Sequence, residues 1–329
     1  MTMTKFVPTG RFSLTALITV LLSLNVMGCG DGSGSAAPPS SGSSTSSSST
    51  GGSASSSGGT ANDYTTFANE TRVTVSGYSG DEMEPFISKD GKFLFFNNRN
   101  DPAVDTNIFY ATRVDDQTFT GQGQVQGVNS TSLDGVPSLD SAGNFYFVST
   151  RSYSTTLSTI YSGAFVAGSV ASVATAQGIS RLQQGVVNFD AEISGDGNTL
   201  WFDDGQYSAS AVLQAASIVI ADKNGAGFAR RSNSAALLAN VNTSGLNYAP
   251  SISVDGLELF FTRVDSTTSG KAPAIFRATR ADTQSVFGAP QHVTGATGFV
   301  EAPSLTADGR TLYYHKLVNG VYQIYKLQR

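Results

Sequence analysis

Five segments of this chain repeat one order of residue types, and that repetition constrains the fold more than any other feature. EPFISKDGKFLFF begins at Glu84, VPSLDSAGNFYFV at Val136, DAEISGDGNTLWF at Asp190, APSISVDGLELFF at Ala249 and APSLTADGRTLYY at Ala302. The second position is Pro85, Pro137, Ala191, Pro250 or Pro303, and six residues later stands Gly91, Gly143, Gly197, Gly256 or Gly309. The proline positions are 52, 54, 59 and 53 residues apart. A period of this size implies a modular architecture, in which one supersecondary unit is copied and stacked.

Each copy reads as four short strands. The first runs into an Asp-Gly turn, where glycine accepts the positive φ that a tight hairpin needs. The second is apolar at three successive positions, as in Leu94-Phe95-Phe96, Leu200-Trp201-Phe202 and Leu259-Phe260-Phe261. A strand with one wet face alternates; these do not, so both faces should be buried. The third is the Ile-aromatic segment at Ile108-Phe109, Ile160-Tyr161, Ile218-Val219, Ile275-Phe276 and Ile324-Tyr325. A fourth follows in FTGQGQV at residues 119–125 and FGAPQHV at residues 287–293. Four-stranded units packed face to face around an axis make a β-propeller. The expectation is all-β, a five-bladed β-propeller of antiparallel blades over residues 63–329. The last copy ends at Arg329 after its third strand, and FANETRV at residues 67–73 has the spacing of a fourth. Residues 71–76 are therefore expected to pair with residues 323–328 and close the ring, which removes two open sheet edges.

The first sixty residues belong to no fold. Residues 1–28 carry Lys5 and Arg11 and then an apolar run, the pattern of a secretory signal. The run ends in Val26-Met27-Gly28-Cys29, which resembles the lipobox of bacterial lipoproteins. Cys29 is the single cysteine in 329 residues, so it has no internal disulfide partner, and acylation accounts for it. More than one acyl chain gives stable anchoring. Residues 30–62 are Gly- and Ser-rich with one charge, and cannot bury enough surface to offset the entropy of ordering. They read as a flexible tether. Loss of residues 1–28 takes the net charge from −5 to −7, which argues against nucleic acid.

The pattern Pro-x-x-Ser-x-Asp-Gly-x-x-Leu-x-Phe with a following arginine is carried by Pro85, Ser88, Asp90, Gly91 and Arg99, and by Pro250, Ser253, Asp255, Gly256 and Arg263. It resembles the TolB-type, WD-repeat-like propeller repeat of bacterial envelopes, over about four-fifths of the chain. The second copy departs from it, with Asp140 at the Ser position and Ala142 at the Asp position, and the third lacks the proline and the arginine. The resemblance implies a fold, and a fold hosts many functions.

No zinc set surrounds His292 or His315, no Gly-x-Ser-x-Gly elbow occurs and no phosphate loop is present, so no metal or cofactor is expected. Trp201 reads as core. Asp90, Asp196, Asp255 and Asp308 read as turn residues, and Arg99, Arg151 and Arg263 as partners within or between blades. One constellation remains: Glu82, Asp134, Asn188 and Asn247, three residues before the proline position, with Glu301 beside the last such position, Val300. In a propeller these precede the innermost strands and can converge at the mouth of the central channel. The expected function is a lipid-anchored envelope protein, monomeric, on the outer membrane, whose propeller binds a protein, peptide or glycan without catalysis. Two alternatives stand beside it. One is a carbohydrate-active enzyme with axial carboxylates drawn from Glu82, Asp134, Asp190 and Glu301, at the separations glycoside hydrolysis requires. The other is a surface adhesin.

Overall fold

A computed structural model of the chain describes residues 66–98, 106–209, 212–243, 245–264 and 272–329. The lipobox, the tether and Arg99 lie outside the described residues. An N-terminal pair, β1 (Ala68–Arg72) and β2 (Thr74–Ser76), comes before the repeats. The first unit is β3 (Met83–Ile87), β4 (Phe93–Asn97), β5 (Ile108–Arg113) and β6 (Thr118–Gln124). The second is β7 (Asp134–Leu139), β8 (Asn144–Ser149), β9 (Ile160–Val166) and β10 (Ser169–Thr175). The third is β11 (Val186–Ile193), β12 (Thr199–Tyr207), β13 (Leu213–Asn224) and β14 (Gly227–Arg230). The fourth is β15 (Leu246–Ile252), β16 (Glu258–Val264), β17 (Ala274–Thr279) and β18 (Gln291–His292). The last is β19 (Val300–Leu305), β20 (Thr311–Val318) and β21 (Val321–Gln328), completed by β1. Successive strands within each unit pair antiparallel. The first strands touch in the order β3, β7, β11, β15, β19 and back to β3, which closes a ring and makes the domain a β-propeller.

The apolar triplets account for the packing between units. Phe95 faces the second unit beside Phe145 and Phe147, while Leu94 and Phe96 face the last unit beside Tyr313 and Ile324. In the fourth unit Phe260 faces forward to Leu312, and Leu259 and Phe261 face back to Trp201. One apolar cluster fills each junction between neighbours, and a further one lies across the axis. Trp201 is core, in contact with Phe287 at a ring separation of 6.0 Å.

The turns repeat as closely as the strands. Asp90, Asp196, Asp255 and Asp308 each accept a hydroxyl two residues back, from Ser88, Ser194, Ser253 or Thr306. Each also accepts the backbone N–H two residues on. The glycine that follows has φ between +70° and +72° in all four. In the second unit Asp140 takes the hydroxyl's place and accepts the Ala142 and Asn144 N–H groups, so the turn survives the change of residue types.

Ring closure differs from the expected register. β1 pairs with β21 through Ala68 with Gln328, Thr71 with Lys326 and Arg72 with Tyr325. Residues 74–76 leave the last unit and pair in parallel with Thr118–Thr120 of the first. Val73 sits at the switch, fully buried, and its N–H reaches the Ile324 carbonyl at 2.8 Å. One short segment thus serves two sheets, because burying both Val73 and Val75 in the seam turns the chain across it. The fourth strand of the fourth unit is cut to two residues after Pro290, which has no N–H for a ladder.

Candidate functional site

The proline position in each repeat, Ala191 in the third, marks a β-bulge. The register of first to second strand slips between Met83 and Phe86, Gly135 and Ser138, Phe189 and Glu192, Tyr248 and Ser251, and Glu301 and Ser304. At each slip the residue before the proline position takes a left-handed backbone: Glu84, Val136, Asp190, Ala249 and Ala302 have φ from +50° to +54°. Such a conformation costs about 1–2 kcal/mol for a non-glycine residue. The bulged residue is left out of the ladder, so proline, which lacks a donor, fits there.

These five residues line the axis. The N–H groups of four of them leave the ladder and reach the preceding unit. Glu84 N–H donates to His315 Nδ1 at 3.1 Å, Val136 N–H to Asn97 Oδ1 at 3.0 Å and Ala302 N–H to Thr262 Oγ1 at 3.0 Å. Ala249 N–H is shared by Asp203 Oδ2 at 2.8 Å and Asp190 Oδ2 at 3.1 Å. Asn97, Asp203, Thr262 and His315 occupy one repeat position, the residue after the apolar triplet. In the second unit that position is Ser149, whose hydroxyl instead accepts from Arg151 Nε at 2.8 Å. A second belt lies further along. Ser304, Ser138 and Ser251 hydroxyls accept the N–H of Ile87, Ile193 and Leu305, each at 3.0 Å. Glu192 accepts the Ile252 N–H at 3.3 Å.

The channel between these belts is nearly filled. Its volume is about 30 Å³, close to that of one water molecule. At the turn end Lys89 of the first unit crosses to Glu192 of the third at 2.9 Å, with both side chains over nine-tenths buried. At the other end Phe189, Tyr207 and Tyr248 cluster with the axial Ala249 and Ala302. Burial pushes Glu84 up to about 8 and Asp190 up to about 7, with neighbouring carboxyls adding to both. Glu301 accepts from the Tyr248 hydroxyl, which burial and that carboxylate push up, and bonds His315 Nε2 at 3.2 Å. Burial opposes protonation of His315, but the Glu301 and Glu84 carboxylates outweigh it and raise its pKa above the usual imidazole value. With Nδ1 accepting the Glu84 N–H, the proton of the neutral ring sits on Nε2, toward Glu301.

The residues singled out in the sequence separate here. Glu301 joins the axial group. Glu82 is buried at the seam, where its Oε2 accepts the Ile324 N–H at 3.1 Å and burial raises it to about 7. Asp134 accepts the Ser130 N–H and hydroxyl and pairs with Arg151 at 2.6 Å. Asn247 accepts Arg263 Nε at 2.7 Å. Asn188 donates to Asp204 Oδ1 at 2.6 Å. These four are bound within their own units or across the seam, and Arg151 and Arg263 are the partners of two of them. The axial positions are instead those just before the proline. The bulge was the missing signal: it adds a residue, so counting by twos from the core strand assigns the wrong face.

A larger cavity opens away from the axis, between the turns of the first and last units. It measures about 690 Å³, within the usual range for ligand pockets. Asp90 and Arg113 stand on one wall, Asp308 and Arg310 on the other, with Asn69 of the clasp and Gln328 beside them. Arg113 pairs with Asp116, while Arg329 makes a two-pronged pair with Glu258 at 2.8 and 2.7 Å. Among the described residues no three His, Cys, Asp or Glu side chains are placed to hold a metal ion.

The ring of first strands, the bulged axis and the junction cores define a β-propeller. No known sequence family matches the chain, and no curated protein matches it in sequence. Solved structures do match in fold. A family 117 glycoside hydrolase from the marine bacterium Zobellia galactanivorans aligns with a TM-score of 0.52 at 13% identity, over 80% of this chain and 90% of that one. The catalytic domain of the Coprinopsis cinerea GH62 α-L-arabinofuranosidase aligns at 0.50 and 11%, over 80% and 96%. TolB from Acinetobacter baumannii aligns at 0.44 and 15%, over 76% of this chain and 55% of that one, so the match spans about half of that TolB. At these identities the likeness is one of fold. The family 117 and GH62 structures support the β-propeller fold and nothing finer.

Proposed function

We propose that this protein is a non-enzymatic binding module of the cell envelope, anchored through acyl groups on Cys29 and a Ser/Gly tether. Its recognition site is the cleft at the ring-closing seam, open to a protein, peptide or glycan ligand. The observation that carries this reading is the filled axis. The carboxylates best placed for chemistry, Glu84 and Asp190, border a channel with room for about one water, and Glu301 acts on Asp190 from beside it. A glycosidase needs two carboxyls flanking a bound sugar and space for that sugar between them. The seam cleft has that space, but the acids on its walls are tied into turns or ion pairs.

The enzyme reading keeps one observation in its favour. Glu84 retains part of its surface toward the channel and is raised to about 8, as a general acid requires. Purified protein assayed on chromogenic glycosides and envelope polysaccharides separates the two. No turnover is expected; turnover abolished by both Glu84→Gln and Asp190→Asn overturns the binding reading. Crosslinking in intact cells, with Arg113→Ala and Arg310→Ala in the cleft, should lose the captured partner. Labelled palmitate should enter the wild type and not Cys29→Ala.

A further inference from the structure

In three units the residue after the apolar triplet catches the N–H of the next unit with a side chain that is not an acid, as Asn97, Thr262 and His315 do. The third unit breaks the rule. Its acceptor is an acid, Asp203, and the axial residue of the same unit is a second acid, Asp190. Both Oδ2 atoms converge on the single Ala249 N–H, and the two carboxyls are in hydrogen-bonding contact with each other. Asp203 is fully buried, and its Oδ1 faces no donor. The Tyr207 hydroxyl nearby, also buried, has no partner either. Two buried carboxyls in contact, with one N–H to share between them, are stable only if one carries a proton.

We propose that Asp190 and Asp203 hold a proton between them, and that its loss at alkaline pH loosens the third unit from the fourth, so that the axis is a pH-sensitive joint. The surroundings offer no compensating cation. Glu301 faces Asp190, with Glu84 next around the ring, and Asp204 faces Asp203. The charge of Asp204 is already taken by Arg230 and Arg181. His315 accepts the Glu84 N–H at Nδ1 and turns Nε2 to Glu301, so it serves those two acids, and burial together with the same carboxyls pushes Tyr207 and Tyr248 up. Like charges this close do not both ionise readily. The direction follows from linkage. The native pair holds protons that the unfolded chain releases near pH 4, so stability falls as pH rises from there toward the native value and levels off above it. For Asp190 that native value is about 7.

Asp203→Asn reproduces the protonated acid. Its carbonyl accepts the Ala249 N–H and its amide donates to Asp190, without a proton to lose. Urea unfolding of the mature chain from pH 5 to pH 9 tests this. Wild type should lose stability between pH 5 and pH 7. The variant should lose up to tenfold less in its folding equilibrium constant per pH unit, the limit for one proton, and be the more stable protein at pH 8. Exchange of the Ala249 amide should accelerate between pH 5 and pH 7 in wild type beyond the normal base-catalysed trend, and not in the variant. Equal pH slopes for the two proteins overturn the proposal. If Asp203→Asn does not fold, Asp190→Asn carries the same test; failure of both to fold at every pH also overturns it.

Discussion

Phe67→Ala tests whether the N-terminal clasp holds the ring closed. Phe67 is buried just ahead of β1, edge-on to Phe260 at 5.5 Å, with the Arg329 guanidinium 4.6 Å from its ring. It belongs to the cluster joining the fourth and last units, beside Leu327 and Leu312. Truncating a buried phenylalanine costs about 3–5 kcal/mol, the transfer of the ring plus the cavity it leaves. The described domain is larger than those for which 1 kcal/mol shifts the melting midpoint by about 2–4 °C, so the lower end applies and a fall of about 6–10 °C is expected. Thermal unfolding followed by circular dichroism reads this directly. Thr74→Ala, an exposed change on β2, should move the midpoint by under about 1 °C. If Phe67→Ala shifted the midpoint no more than Thr74→Ala, the clasp would not contribute to closure and the packing argument would fail.

Other outcomes follow from the same physics. Gly178 has φ +82°, and a Cβ there would lie 1.8 Å from the Phe228 carbonyl oxygen, so Gly178→Ala should cost more than about 3 kcal/mol in urea unfolding. Gly123 has φ +89° with open space around it, so Gly123→Ala should cost only the backbone strain, about 1 kcal/mol. Glu70 on the clasp accepts from Lys316 and Tyr314, each at 2.7 Å, and from the Thr297 N–H at 3.1 Å. Burial alone would raise its pKa, but these bonds together hold it below the usual carboxylate value. Its stabilisation is therefore present above about pH 4 and lost as pH falls below. Glu70→Gln should destabilise by roughly 1–2 kcal/mol at pH 7, and the gap should close toward pH 3.

Much of the scaffold was legible in the residues. The unbroken apolar triplets required two buried faces, and Leu94-Phe95-Phe96 are buried on both sides of one strand. The Asp-Gly turns were legible because their bonds run between residues a few positions apart, as from Ser88 to Asp90. The switch at Val73 was not, since its choice between two sheets depends on Ile324 and Phe119, far along the chain. The candidate site was legible only in Glu301 and Asp190. Glu82, Asp134, Asn188 and Asn247 stand on the strands that lead to the axis, yet their polar groups are taken up by partners that no local pattern reveals.

By itself the sequence determined a repeated four-stranded unit, its turns and its two-sided core, because each depends on residue types at short, constant spacing. It also set an acidic balance and the place of the proline in four of the five copies. Tertiary structure alone decided what that proline does. Once the units close into a ring, the bulge turns five left-handed residues to the axis and sends four of their N–H groups into the preceding unit. That exchange leaves Asp190 and Asp203 on one donor, nearly fills the channel and leaves the open cleft at the seam. Distances across a closed ring are set by closure, and no spacing along the chain encodes them.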